Sequence, residues 1–369
     1  MSSEQTRHIV IIASYLNHPG GYERIVPSIA NLFTEKGNKV TLLIIGNTSE
    51  TFYPIHNKVN IILKPYHFGI ADKGNMISRK IKMLSDIRGL KKILFQLSPD
   101  IVIGTEYHIS ISAQLTGIKK KAKLIAWEHT PIAQSNKNRF WNFLFKKYYP
   151  RFNAIVCLTK AEKHFFSQLA PTSVIHNFTD NQSGNYASLQ SKTILSIARL
   201  SPEKGIDLLL QTAKKVLSLH PSWKWKLIGT GPLKKMVKDF IINENLSTQL
   251  ILQEPTSSHL NDEYLQASLF VLSSRYESMS MVLLEAQSFG VPLVSFNCPD
   301  GPAEIITHEV NGLMAPKENS DALAQAILSL IENPSQAKQL SQQAITNAIH
   351  FNSDSVYTNW ESLFDKLLL

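Results

Sequence analysis

The stretch ESMSMVLLEA at 277–286 sets two carboxylates, Glu277 and Glu285, around a run of apolar residues. Glu277 follows the β-branched run LFVLSS at 269–274 and so falls in a loop, whereas Glu285 sits on a helical stretch beside Val282, Leu283 and Leu284. A carboxylate on an apolar helix face is costly to bury unless it is hydrogen-bonded. Ribose hydroxyls would supply that partner, as they do for acidic residues in dinucleotide sites. The helix start, at Ser280, Met281 and Val282, would turn its backbone N–H groups toward a diphosphate, with Glu277 near a sugar. The plainer alternative is a helix-start carboxylate favoured by the macrodipole plus one surface glutamate. The following AQSFGVP favours a buried helix.

Cations stand at a neighbouring strand end. TILSIA at 193–198 runs into Arg199, and LSPEKGID brings Lys204 five positions later. Arg offers a planar fork and Lys a point charge, so the two can share one diphosphate; an ordinary solvated loop is the alternative. WKLIGT at 225–230 closes on Gly229 and Gly231, either a close backbone approach to ligand or a tight turn. In NCPDGPAEII, Asp300 either caps the helix begun by Pro302 or touches a transferred sugar. In the first half, HIVIIAS at 8–14 leads to Gly20 and Gly21 before a helix, which lets N–H groups approach an anion or simply makes a turn. The spacing is not GxGxxG. KLIAWEH at 123–129 ends in Glu128, His129 and Thr130, placed either for a cleft or as a capped loop with a solvent-facing histidine.

These residues need strands to carry them. Short apolar runs alternate with helical patterns: 8–14, 39–46, 60–66, 100–106, 123–129 and 154–159 in the first half, then 193–198, 225–230, 250–254, 269–274 and 292–296. Continuous apolar character reads as parallel strands buried on both faces, and alternation with helices as doubly wound sheets. Helices are expected at 22–36 and 76–97, then at 206–219, 231–244, 281–289, 320–332 and 334–349. The polar stretch 181–192 separates a first domain, 1–180, from a second, 193–350. The tail 351–369 carries Val356, Trp360, Leu363, Phe364 and Leu367 on one helical face that must be covered. Ligands of open parallel sheets bind beyond the carboxyl ends of the strands, where the singled-out residues cluster.

The 369 residues are 43% apolar, enough for two cores, and the net charge is +9. Residues 1–180 hold 24 Lys and Arg against 11 Asp and Glu; residues 181–369 hold 14 against 18. The basic half implies an anionic partner. Along 77–97 an apolar stripe of Ile77, Ile81, Leu84, Ile87, Leu90, Leu94 and Leu97 has basic flanks, and more lysines follow at 119–123 and 137–147. This suits an anionic membrane surface or a core-facing helix with a solvated rim. No run is long enough to span a bilayer, the N-terminus lacks signal-peptide order, and Cys157 and Cys298 have no metal-ligand spacing. The expectation is a cytoplasmic chain, peripheral at most on the inner face of the membrane.

Taken together, GGYER, WEHT, IHNF, ARLSPEKGID, GTGP, the Glu277–Glu285 motif with LLEA, and DGPAEII followed by NGL resemble the family 4 glycosyltransferases. The resemblance covers nearly the whole chain and is most specific over 193–316. It implies the GT-B fold: two Rossmann-like domains facing each other across a cleft, with a C-terminal helix crossing back to the first. It implies metal-independent, retaining transfer of a hexose from a nucleotide-sugar, with UDP favoured, to a saccharide or lipid-linked saccharide in cell-surface glycan synthesis, without cofactor or nucleic acid. The first domain would take the acceptor and the second the donor. Arg199 and Lys204 match the diphosphate pair, Glu277 the hexose contact, Glu285 the ribose contact, Gly20 and Gly21 the glycine loop, and His129 a histidine near the sugar's exocyclic group. Ser278 and Met279 depart from the Gly and aromatic or Pro residues of many relatives, which bears on the sugar pocket. A nucleotide-sugar epimerase and a non-catalytic sugar-nucleotide or nucleic-acid binding protein stand as competing readings.

Overall fold

The structure is a computed structural model and describes residues 6–68, 76–130, 137–181, 183–255, 260–299 and 301–369. It divides into one compact unit of Met1–His176 with Tyr357–Leu369, and a second of Asn177–Val356. The polar stretch 181–192 belongs to the second unit, where the Ala187 N–H donates to the Phe289 carbonyl at 2.9 Å.

The first unit runs β1 (His8–Ala13), α1 (Gly21–Glu35), β2 (Lys39–Ile45), β3 (Asn60–Lys64), α2 (Met76–Leu97), β4 (Ile101–Gly104), α3 (Tyr107–Leu115), β5 (Lys123–Trp127), α4 (Arg139–Tyr148), β6 (Ala154–Cys157), α5 (Lys160–Phe166) and β7 (Thr172–Val174). Its strands form one parallel sheet in the order β3-β2-β1-β4-β5-β6-β7. Alternate side chains of the central strands (Val10 and Ile12 of β1, Leu124 and Ala126 of β5) pack with α2, α3 and α4 in one core.

The opposite phase of β5 carries Trp127, whose ring meets Trp360 edge-on at 5.4 Å. Trp360 belongs to the last helix and is fully buried, with Phe33 of α1 at 5.6 Å. The C-terminal helix therefore docks on the first unit, helped by an ion pair between Arg7 and Asp365.

The second unit runs β8 (Thr193–Ile197), α6 (Ile206–Leu219), β9 (Lys224–Ile228), α7 (Lys234–Asn243), β10 (Leu250–Gln253), α8 (Leu260–Leu265), β11 (Leu269–Leu272), α9 (Met281–Ser288), β12 (Leu293–Asn297), α10 (Pro302–Ile305), β13 (Gly312–Pro316), α11 (Ser320–Glu332) and α12 (Pro334–Ala348); α13 (Ser353–Leu368) closes the chain. The sheet is again parallel, in the order β10-β9-β8-β11-β12-β13. Both sheets are Rossmann-like, the pair of units that makes the GT-B fold. In each, the strand order reverses beside the first strand, between β1 and β4 and between β8 and β11. Such switch points open a crevice at the carboxyl ends of the strands.

Two expectations are corrected. The run 60–66 reads as a strand buried on both faces, but β3 is the edge strand of the sheet, with Asn60 and Ile61 exposed, because among the described residues no strand pairs on its outer side. The stripe along α2 is interrupted: Ile87, Leu90 and Leu94 are buried with Met83, whereas Ile81 and Leu84 face solvent.

Candidate functional site

At the switch point of the second sheet, the loops after β8 and β11 are tied together. Lys204 Nζ donates to Glu277 Oε1 at 2.6 Å, and Ser274 Oγ donates to the same oxygen at 2.7 Å. Ser273 Oγ donates to the Lys204 carbonyl at 2.9 Å. Arg275 grips Asp207 through both terminal nitrogens, at 2.8 and 2.7 Å, and also donates to the Pro202 carbonyl. That fork holds the Asp207 carboxyl below the usual carboxylate range. Gly205 joins this frame with φ +61, and a Cβ there would stand 2.0 Å from the Ser273 carbonyl oxygen. Close packing and left-handed backbone both demand glycine.

Gly229 is held as tightly, since its Cβ would stand 2.0 Å from the Ala198 carbonyl. Gly231 lies against Leu200. Exposed Arg199 stands between those two contacts, so its backbone is pinned and its guanidinium is presented to solvent. The loop from Glu277 then enters α9, whose N-cap Ser280 makes no side-chain cap. Ser280 thus leaves the first-turn N–H groups at Met281 and Val282 uncapped by its own side chain, and N–H groups left open at a helix start are suited to hold an anion. Ser278, singled out in the sequence as a departure from many relatives, is 8% exposed, and its buried Oγ has no partner among the described residues.

Glu285 is buried, and the Tyr264 hydroxyl donates to its Oε2 at 2.7 Å. The protein itself therefore supplies a partner for a carboxylate that the sequence paired with a ribose. Asp300 lies outside the described residues.

The first sheet has a polar cluster at its own switch point. Tyr22, at the start of α1, accepts from the Ser14 N–H at 3.0 Å and shares a 2.7 Å hydrogen bond with Thr105 beyond β4. Gly20 is the N-cap of α1 and Gly21 its first residue, and a Cβ on Gly20 would meet the Glu23 carboxylate. The His129 ring packs 4.2 Å from Trp127 and edge-on to Tyr22 at 5.2 Å. This apolar cage pushes its pKa down to about 3, and its buried Nε2 has no partner among the described residues. The alternative of a solvent-facing histidine is thereby corrected; Thr130, the next residue, is exposed.

Glu128 is buried and accepts from the Tyr149 hydroxyl. Burial pushes its carboxyl up to about 7, opposed by the Tyr149 bond and by Lys137 and reinforced by Glu106. Glu106, which sequence reasoning missed, is raised chiefly by burial, and its Oε2 is buried without a hydrogen bond among the described residues. Its signal was the one that singled out Glu128, a carboxylate ending an apolar run, here DIVIGTE at 100–106.

The profile of the family Glycosyl transferases group 1 matches residues 178–347, and that of Glycosyltransferase Family 4 matches residues 19–183. Together they span almost all of both units. The chain belongs to glycosyltransferase family 4. An uncharacterized glycosyltransferase of Haemophilus influenzae is 26% identical over 93% of the chain and 96% of the relative. The alpha-1,4-N-acetyl-D-galactosaminyltransferase of Campylobacter jejuni, named for a PP-undecaprenol-linked saccharide, is 23% identical over 96% of the chain and 97% of the relative. HepE from Anabaena, solved in complex with UDP, superposes with a TM-score of 0.78 at 15% identity over 97% of the chain and 99% of HepE. As a family 4 glycosyltransferase, the chain carries its lysine–glutamate pair at the topological switch point of the family's C-terminal half.

Proposed function

We propose that the chain transfers a hexose, with retention of configuration, from a UDP-sugar to a saccharide or lipid-linked saccharide in cell-surface glycan synthesis. The second unit would take the donor and the first the acceptor. The observation that carries this reading is the Lys204–Glu277 contact at 2.6 Å, beside exposed Arg199 and the α9 N-terminus. The UDP in HepE and the PP-undecaprenol-linked saccharide in the Campylobacter enzyme's name support the two substrate classes.

Breaking the anomeric C–O bond puts negative charge on the leaving phosphate oxygen. Lys204, Arg199 and the N–H groups at Met281 and Val282 would stabilise that charge. Groups aimed at developing charge in this way typically contribute roughly 3 kcal/mol each. Glu277 orients Lys204 and has a second oxygen to accept a sugar hydroxyl. The acceptor oxygen would attack on the face the phosphate leaves, its proton passing to that phosphate oxygen. Glu285 would reach the ribose, Gly229 and Gly231 would border the donor, and Asp300 would touch the sugar. Gly20 and Gly21 would close over the donor. His129, neutral at physiological pH, would offer Nε2 to a sugar hydroxyl, with Glu128, Glu106 and Thr130 near the acceptor.

A thermal-shift screen over UDP-, GDP- and ADP-sugars tests the donor class, since a ligand at a hundred times its Kd stabilises the native state by about 2.7 kcal/mol. UDP-sugars alone should raise the melting point, and NMR of the product should show the donor's anomeric configuration. Conversion of the donor to an isomer without acceptor would mark an epimerase and overturn the reading.

A further inference from the structure

The backbone that joins Glu277 to α9 is held by contacts from two other segments of the second unit. The Gly301 N–H donates to the Glu277 carbonyl at 3.1 Å, and a Cβ on Gly301 would stand 2.3 Å from the Ser278 carbonyl oxygen. The Asn177 N–H, from the IHNF stretch at 175–178, donates to Met279 Sδ at 3.2 Å. Close packing thus fixes where Glu277, Ser278 and Met279 set their side chains.

The polar atoms at this loop are unequally used. Glu277 Oε1 accepts from both Lys204 and Ser274, at 2.6 and 2.7 Å. Ser278 Oγ is buried with no partner among the described residues, and so is Asn177 Oδ1, on the residue bonded to Met279. A buried polar group without a partner destabilises the fold, and native structures leave few of them. Two at one loop contact, next to the carboxylate that Lys204 holds, point to a ligand that completes them. A serine hydroxyl turns about Cα–Cβ between staggered positions and serves as donor or acceptor, so it can meet a ligand hydroxyl without movement of the backbone.

We infer that Ser278 is a specificity-determining residue, whose Oγ hydrogen-bonds a hydroxyl of the sugar carried by the nucleoside diphosphate, beside the one taken by the second oxygen of Glu277. The inference rests on the donor reading above and adds to it the side chain that tells one hexose from another. Glu277 and Asn177 Oδ1 are acceptors, so the group that meets this loop is a neutral one bearing hydroxyls rather than a phosphate oxygen. A site built to hydrogen-bond a hydroxyl rejects a sugar that lacks it or turns it away, because the buried group is then left unpaired. The diphosphate is assigned to Lys204, Arg199 and α9, which confines the contribution of Ser278 to the sugar.

Titration calorimetry of UDP, UDP-glucose, UDP-galactose, UDP-N-acetylglucosamine and UDP-N-acetylgalactosamine against the full chain and Ser278→Ala tests it. UDP affinity should be the same in both proteins. For the UDP-sugar that the native chain holds most tightly, affinity relative to UDP should fall about threefold to tenfold in the variant, the effect of one neutral hydrogen bond, and its lead over the other sugars should narrow. The melting point of the unliganded variant should not fall, since Oγ has no partner to lose. A fall would mean that the hydroxyl is already bonded within the protein, and equal weakening of UDP would make Ser278 part of the α9 frame; either overturns the inference. UDP binding with unaltered discrimination among the sugars defeats this inference alone, whereas no UDP binding to the native chain defeats the donor reading and this inference with it.

Discussion

The Glu128–Tyr149 pair makes a pH prediction at the scale of one side chain. The Glu128 pKa rises from 4.5 to about 7, so between these values the folded protein holds a proton that the unfolded chain releases. Its contribution to stability is fully present below pH 4.5 and is lost as pH climbs through 7. At roughly 1.4 kcal/mol for each pH unit between the two values, the loss comes to roughly 3–4 kcal/mol. Glu128→Gln keeps an acceptor for the Tyr149 hydroxyl and removes the titration. Denaturant unfolding across this range should show a flatter profile for the variant; superimposable profiles would show that Glu128 does not titrate there. The carboxylate at this strand end was legible because an apolar run stops on it. Its partner was not, because Tyr149 is 21 residues away and only tertiary packing brings the hydroxyl in. Tyr264 and Glu285 repeat the lesson: LLEA announces a buried glutamate, but nothing in the chain pattern points to α8.

At the scale of elements, α13 shows how a short amphipathic tail supports a site it does not enter. Trp360 is enclosed by Phe33, Trp127 and Phe364, and Trp127 in turn forms the wall against His129. Trp360→Ala should cost about 3–5 kcal/mol, the usual range for a buried aromatic, read as a lower urea midpoint of the full chain. A loss below about 1 kcal/mol would mean that the helix does not anchor the first unit. The apolar face of this helix was evident from spacing, and so were α6, α11 and most of the strands, because continuous β-branched runs and helical periodicity are strong local signals. Some elements escaped: β7 and α8 have only three and six residues, and β13 reads GLMAP, with no β-branched residue and a glycine and a proline at its ends. The α2 stripe was legible as amphipathic, but its phase was not, since the helix buries Met83 in place of Leu84.

At the scale of the molecule, two sheets of the same winding each gather polar side chains at the reversal of strand order, Tyr22, Thr105 and Glu106 in one, Lys204 and Glu277 in the other. The family, the fold and the electrostatics of the second unit meet in one claim, that Lys204, Arg199 and the α9 N-terminus grip a nucleoside diphosphate. Isothermal titration of UDP measures it directly. UDP should bind the native chain, and Lys204→Ala and Arg199→Ala should each weaken binding by about tenfold to a hundredfold, the roughly 1.5–3 kcal/mol of a hydrogen bond to a charged group. Lys235→Ala, on an 87% exposed lysine paired with Asp239, should leave it unchanged. Equal UDP affinity in all four proteins, or none in the native chain, would contradict the account.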